Sequence, residues 1–289
     1  MANIQLAASD AALSQKSALL RDLLKGMGRV LIAYSGGVDS AFLLRVAHDE
    51  LGESATGVLG VSPSLMAEEH ADAVALAKQM GVPLRIVETH EMDDANYASN
   101  PTNRCYFCKS HLFDTLTKLA KAEGFDAVCD GTNTDDMQEW RPGAQAGTER
   151  GIRSPLREAG LNKAEIRTLS REAGLPTWDK PAMPCLSSRI PYGTPVTAQA
   201  LRMIGGGEAW LRQKGIREVR VRHYDEDGKF TARIEVEPGE MAAVFALREE
   251  LNAELKRVGY DSILLDLEGY RRGRLNDRIA PQPIQLHLG

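Results

Sequence analysis

The most constraining stretch of this chain runs from Arg29 to Leu51. A short apolar segment, Arg29–Tyr34, leads into Ser35-Gly36-Gly37-Val38-Asp39-Ser40, and a helical pattern follows at once over Asp39–Leu51. A strand that turns through two glycines directly into a helix is the local unit of a parallel α/β layer. The alternation then repeats: Ala55–Val61 reads as a strand, Ala67–Met80 as a helix, Leu84–Val87 as a strand, Lys109–Glu123 as a helix and Ala127–Asp130 as a strand. Ahead of it, Leu13, Leu19, Leu20, Leu23 and Leu24 recur at helical spacing before Gly26 and Gly28. The expected fold class is therefore α/β, a parallel sheet with helices on both faces. Ligands of such sheets sit beyond the carboxyl ends of the strands, where Ser35, Ser62 and Asp130 fall.

A chain of 289 residues has room for a large domain and a smaller one. The segment from Asn133 to Arg157 is polar and glycine-rich, and Lys163–Ala173 supplies one more amphipathic helix. Four prolines and Gly193 crowd the loop between Trp178 and Pro195, which places the expected boundary between residues 193 and 194. Beyond it, a helix over Ala198–Lys214, strands at Val219–His223 and Ala232–Val236, a helix over Met241–Val258 and a strand over Ser262–Leu267 predict a small α+β domain. The last stretch, Ala280–Gly289, reads as a loosely held tail.

A net charge of −5 argues against a nucleic-acid partner bound through global charge. No stretch approaches the roughly 20 apolar residues that span a bilayer, and the N-terminal segment lacks a signal-type apolar core, so the expected location is the cytoplasm. Four cysteines are too few for a disulfide scaffold in a chain of this length and point instead to metal or redox chemistry.

In the hexapeptide, backbone N–H groups and the positive end of the helix converge where an anion would rest. Gly36 and Gly37 let the backbone approach a phosphate without a Cβ in the way. Ser35 and Ser40 add hydroxyl donors, while Asp39 suits a magnesium-bound pyrophosphate; there is no P-loop lysine. This segment resembles the PP-loop of the ATP pyrophosphatases, a resemblance that implies cleavage of ATP between its α and β phosphates with Mg2+. Asp130-Gly131-Thr132-Asn133 and Ser154-Pro155-Leu156 also resemble segments of that superfamily that line the nucleotide cleft.

Cys105-Tyr106-Phe107-Cys108 precedes the expected helix at Lys109, and Cys185 lies in the proline-rich loop. Two thiolates at this spacing can share a metal; Cys129, inside an apolar strand, reads as core. Taken together, Trp140-Arg141-Pro142-Gly143, Pro184-Cys185-Leu186-Ser187-Ser188-Arg189-Ile190-Pro191-Tyr192-Gly193, Val219-Arg220-Val221-Arg222 and Gly269-Tyr270-Arg271-Arg272-Gly273-Arg274 resemble the LarE family over nearly the whole chain. LarE proteins are sulfur transferases of nickel-pincer nucleotide biosynthesis. The resemblance implies adenylation of the carboxylates of pyridinium-3,5-biscarboxylic acid mononucleotide and their conversion to thiocarboxylates for the cofactor of lactate racemase. It also implies a homo-oligomer and a sulfide donor or cysteine desulfurase as partner.

In the sacrificial form of that family a cysteine surrenders its own sulfur, at the place occupied here by Pro184. Cys105, Cys108 and Cys185 together look like the iron-sulfur form, in which three cysteines hold a [4Fe-4S] cluster and leave one iron open to carry a sulfide. The resemblance further assigns Ser188, Arg189, Arg220 and Arg222 to the substrate and its phosphate, Cys185, Asp39, Ser188 and Arg189 to catalysis, and Glu208 to a metal. A second acidic ligand of that metal falls on Ala243. Two other readings fit the motifs: a PP-loop tRNA thiolase, and a nucleotide-binding protein with structural zinc and no turnover.

Overall fold

The computed structural model describes residues 2–137, 142–181, 183–271 and 274. Trp140, Arg141, Arg272, Gly273 and the expected tail over Ala280–Gly289 lie outside the described residues. In chain order the main elements are α1 (Ala2–Lys25), β1 (Val30–Ala33), α2 (Val38–Leu51), β2 (Ala55–Val61), α3 (Ala67–Met80), β3 (Leu84–Glu88), α4 (Ala95–Ala98), α5 (Arg104–Glu123), β4 (Ala127–Cys129), α6 (Pro142–Glu149), α7 (Pro155–Glu158) and α8 (Lys163–Glu172). They continue with α9 (Ala198–Gln213), β5 (Val219–Glu226), β6 (Lys229–Val236), α10 (Met241–Ala246), α11 (Arg248–Arg257) and β7 (Ser262–Leu265). No described helix is long and apolar enough to cross a membrane.

The chain divides into two compact units, residues 1–91 with 103–184, and residues 92–102 with 185–289. The division falls between 184 and 185, not 193 and 194, and the segment 92–102 joins the second unit. The reason is hydrogen bonding by a short stretch. Asn100 Nδ2 donates to the carbonyls of Pro191 and Thr194 at 2.8 and 2.9 Å, Gly193 N donates to Asn100 O at 2.9 Å, and the Tyr97 and Ser187 hydroxyls meet at 2.7 Å.

In the first unit the strands run parallel in the order β3-β2-β1-β4. Side-chain alternation along β1 sends Val30 and Ile32 to one core, with Leu24, Leu43, Leu44 and Ile166, and Leu31 and Ala33 to the other, with Val58, Phe113 and Leu116. A sheet buried on both faces explains why its central strands read as continuous apolar runs. All four strands end at one edge, so the loops after Ala33, Val61, Glu88 and Cys129 gather there.

One local expectation is corrected in this unit, and one stretch described only by its composition gains structure. Helix α5 begins at Arg104, not Lys109, so Cys105 lies in its first turn, Cys108 opens the second, and the two share one face at i, i+3. The polar stretch 133–157 holds the two short helices α6 and α7; Pro155 at the start of α7 carries a φ already suited to a helix.

The second unit carries a sheet in the order β5-β6-β7, with β5 and β6 antiparallel and β7 parallel to β6. Both hairpin strands extend beyond their expected ends, because Asp227 (φ 54°) and Gly228 (φ 80°) make a two-residue turn that lets Glu226 pair with Lys229. The expected helix over Met241–Val258 is two helices, interrupted at Leu247, whose ψ of 6° leaves the helical range.

Candidate functional site: a phosphate loop and a buried arginine cluster

At the carboxyl edge of the parallel sheet, the chain leaves β1 at Tyr34, turns through Ser35-Gly36-Gly37 and enters α2. Gly36 has φ 71°, and a Cβ there would lie 2.7 Å from Ala73 Cβ, so this position excludes side chains on two counts. Ser40 Oγ ties the loop shut: it accepts from Ser35 N at 3.1 Å, meets Ser35 Oγ at 3.0 Å and donates to Gly37 O at 3.3 Å. Gly37 occupies the N-cap without a side-chain cap, which leaves the first-turn amides of a 14-residue helix to an anion.

The neighbouring loop comes close. A Cβ on Gly131 would lie 3.0 Å from Ser40 N, so the strand β4 loop lies directly against the start of α2. Asp130, buried, organises that loop: it accepts from Ser154 Oγ at 2.8 Å, Thr132 Oγ1 at 2.7 Å and Thr132 N at 3.2 Å. The segments Asp130–Asn133 and Ser154–Leu156 are thus joined side chain to side chain beside the glycine turn.

Asp39 presents its two carboxylate oxygens to different surroundings. Lys163 Nζ, at the start of α8, reaches Asp39 Oδ2 at 2.5 Å. The other oxygen, Asp39 Oδ1, is buried with no hydrogen-bond partner. A carboxylate oxygen in that state is costly until a cation or donor meets it, so the donor set fits a magnesium ion carried by a phosphate chain. Lys163 was not apparent from sequence; the signal was its place one residue after the helix-capping Asn162, with a lysine otherwise missing from the phosphate loop.

In the second unit Cys185 is exposed and opens a short turn, Leu186–Arg189. Arg189 does not extend from this turn toward solvent, as an expected phosphate ligand would. Its side chain is fully buried, with Nε 2.8 Å from Glu208 Oε1 and Nη2 2.9 Å from Glu208 Oε2, while Nη1 donates to Cys185 O and Ser188 Oγ at 3.1 and 3.0 Å. A buried guanidinium needs a carboxylate, and Glu208 on α9 supplies it. The expected metal role of Glu208 is corrected by the same contacts. Glu208 is fully buried, and its oxygens also accept from Arg212 Nη2 at 2.5 Å and Val221 N at 3.0 Å, so two guanidinium groups and an edge-strand amide take both oxygens. Burial alone would raise its pKa; Arg189 and Arg212 outweigh that and hold it below the ordinary glutamate value.

Arg220 and Arg222 share one face of β5, two residues apart. They are not a solvated strand face: their exposures are 2% and 6%. Arg222 is neutralised by Glu235, with Nε 2.8 Å from Oε2, and its Nη1 donates to Ser188 O at 2.9 Å. Arg220 differs. It donates to Val219 O at 2.8 Å and lies over the Tyr270 ring at 4.6 Å, and among the described residues it pairs with no carboxylate. Burial, with the charge of Arg189 adding, pushes its pKa below the ordinary arginine value.

Of the four cysteines, Cys105 and Cys185 are exposed and Cys108 is half-buried, while Cys129 is buried and its thiol is pushed up to about 12 by that burial. Cys129 is therefore core. Cys105 and Cys108 belong to the first unit and Cys185 to the second. Among the described residues no three Cys, His, Asp or Glu side chains form a metal-binding group.

A parallel sheet whose first strand turns through Ser-Gly-Gly into a helix bearing Asp39, with no P-loop lysine, defines a PP-loop ATP pyrophosphatase. The comparison with known proteins narrows this. The chain is 34% identical over 271 residues to pyridinium-3,5-bisthiocarboxylic acid mononucleotide synthase of Lactiplantibacillus plantarum, covering 93% of this chain and 97% of that protein. It belongs to that family, the LarE family of ATP-dependent sulfurtransferases. It is also 47% identical to the protein slr1717 of Synechocystis, over 91% of this chain and 98% of the relative. A partial match, 37% over 125 residues and 36% of this chain, joins it to the tRNA-specific 2-thiouridylase MnmA of Kocuria rhizophila, a likeness confined to part of the chain. No protein-family model matches.

Proposed function

We propose that this enzyme adenylates the carboxylates of pyridinium-3,5-biscarboxylic acid mononucleotide and converts them to thiocarboxylates for the nickel-pincer cofactor. The observation that carries the reading is Arg220, a cation 2% exposed that pairs with no carboxylate among the described residues. A buried guanidinium with no carboxylate bonded to it keeps its donors for an anionic ligand, and a nucleotide phosphate offers it a bidentate partner.

In the first half-reaction a substrate carboxylate oxygen attacks the α-phosphorus of ATP and pyrophosphate leaves. The first-turn amides of α2 and the Ser35 and Ser40 hydroxyls hold the departing phosphates, and a magnesium ion bound at Asp39 Oδ1 would add charge neutralisation. Lys163, held on Asp39 Oδ2, supplies the cation that the phosphate loop itself lacks. In the second half-reaction a sulfide attacks the acyl carbon, AMP leaves and the thiocarboxylate forms.

Cys105, Cys108 and Cys185 are proposed as the ligands of a [4Fe-4S] cluster, a set supported by three accessible thiols and by proline at position 184. Such a cluster would supply the sulfide. Arg189, anchored on Glu208, holds the Cys185–Ser188 turn; it is a positioning residue. A sulfide donor or cysteine desulfurase as partner, and a homo-oligomer, belong to the same proposal.

The test is a single-turnover assay on protein purified without oxygen, with ATP and the biscarboxylate mononucleotide. Pyrophosphate and AMP released with thiocarboxylate by mass spectrometry, and about four irons with at least four labile sulfides per chain that disappear in Cys105→Ala, is the expected result. Pyrophosphate release that does not depend on the mononucleotide would overturn the substrate assignment, and zinc in place of iron would overturn the cluster.

A further inference from the structure

A second buried carboxylate stands at the carboxyl edge of the sheet that carries the phosphate loop. Glu91, just past β3, is 1% exposed, and its Oε2 is buried with no hydrogen-bond partner. Its Oε1 has one long contact, accepting from Ser64 Oγ at 3.4 Å. Ser64 in turn meets Ser62 Oγ at 2.8 Å, and its own N donates to that oxygen at 3.2 Å. The two loops are held together by the sheet, since Thr89 N donates to Val61 O at 3.0 Å past the last paired residues, Val61 and Glu88.

This cluster is built for a ligand that donates. A carboxylate removed from water with one weak bond is unfavourable, and neighbouring serine hydroxyls offer no positive charge to offset it. A lysine or arginine would be the usual structural answer, and none bonds to Oε2. Position narrows the ligand. In the order β3-β2-β1-β4, Glu91 follows β3, the serines follow β2 and the glycine turn follows β1. Adjacent strands are about 4.8 Å apart, so β3 lies roughly 10 Å across the edge from β1, whose end carries the phosphate loop. A nucleotide whose phosphates rest on Gly36 and Gly37 and whose sugar extends toward β2 and β3 would bring its hydroxyls to this carboxylate. Acidic residues at strand ends read sugar hydroxyls in other nucleotide folds by accepting from the O–H groups.

We propose that Glu91 accepts a hydrogen bond from a ribose hydroxyl of ATP, with Ser64 and Ser62 holding the carboxylate in place, so that this cluster selects ribonucleotides. The proposal rests on the ATP-binding reading of the phosphate loop. The ribose of the mononucleotide substrate has the same hydroxyls, and binding measured with ATP alone separates the two sources.

The experiment measures dissociation constants of ATP, 2′-deoxy-ATP and 3′-deoxy-ATP for the full-length protein with magnesium and without the second substrate. The wild-type protein is expected to bind at least one deoxy analogue roughly tenfold or more weakly than ATP, the loss that follows when a site made to bond a hydroxyl finds none. In Glu91→Ala that gap is expected to close, with ATP falling to the level of the analogue. Glu91→Met, which keeps the length of the side chain and removes both acceptor oxygens, serves if the alanine variant does not fold. Equal binding of all three nucleotides by the wild type would overturn the proposal, as would a gap that survives in the variants. Failure to bind ATP at all would instead sink the underlying ATP-site reading.

Discussion

Lys163 Nζ lies 2.5 Å from Asp39 Oδ2, joining the first residue of α8 to the second residue of α2. The pair does two things at once. It neutralises the carboxylate of the phosphate loop, and it stations a cation within a side chain's length of the amides that receive the phosphates. Because the lysine and aspartate side chains remain 36% and 23% exposed, the pair adds no more than about 1 kcal/mol to folding. Lys163→Ala is therefore expected to unfold within a few degrees of the wild type while pyrophosphate release falls by about 10²–10³-fold. Thermal unfolding and a pyrophosphate assay on the same preparation separate the two effects, and a large drop in melting temperature would assign the lysine to structure.

Arg220 and Arg222 make a contrasting pair of variants. Replacing Arg220 by Met removes a buried cation that has no carboxylate partner, so the unliganded protein is expected to be as stable as the wild type or more so. Its affinity for the mononucleotide should fall at least tenfold, for want of a charged hydrogen-bond partner. Arg222→Met instead strips one guanidinium from Glu235, which is fully buried, and is expected to cost about 1–3 kcal/mol without ligand. Calorimetry of both variants with and without substrate checks the inversion.

Glu208 makes the second unit acid-sensitive. Burial opposes its ionisation, yet Arg189 and Arg212 hold its pKa below the ordinary value of 4.5. A carboxyl whose pKa is depressed on folding contributes stability above its unfolded value, and that contribution is lost as pH falls through the folded one. Stability of the second unit is thus expected to decline from about pH 4.5 downward, followed by Tyr or Trp fluorescence. Glu208→Gln should weaken that dependence, with Asp266 and Glu254 supplying what remains, and cost about 3–5 kcal/mol at neutral pH, because Arg189 is left buried and unpaired.

The two units were legible in the sequence to different depths. The phosphate loop and the strand–helix alternation around it are local patterns, and the elements from Ala55 to Met80 match their expected bounds. The partners of the site were not legible, because they are distant in sequence. Lys163 is 124 residues from Asp39, and the Ser-Ser-Arg run ending at Arg189 reads as a ligand-binding turn until Glu208, 19 residues on, is seen to take its guanidinium. The start of α5 was missed although Asn103, a favoured N-cap residue, stands just before Arg104; its side chain makes no cap hydrogen bond in the structure. The hairpin turn could have been found: Asp227-Gly228 is the dipeptide such turns prefer.

Gly131 offers a test of how tightly the two loops of the nucleotide site must fit. A methyl group there would meet Ser40 N at 3.0 Å and Asp39 C at 3.2 Å, both backbone atoms of the first turn of α2, which cannot swing aside as a side chain would. Gly131→Ala must displace either the β4 loop, with its Asp130 hydrogen bonds, or the amides that receive the phosphates. The expected outcome is a folded protein with a raised KM for ATP and slower pyrophosphate release. Gly151→Ala is the control: φ is 66° and nothing lies within 4 Å, so backbone strain of about 1 kcal/mol lowers stability without touching the nucleotide. If Gly131→Ala lost stability alone and kept its ATP kinetics, the close approach of the two loops would be a packing contact and not part of the phosphate site.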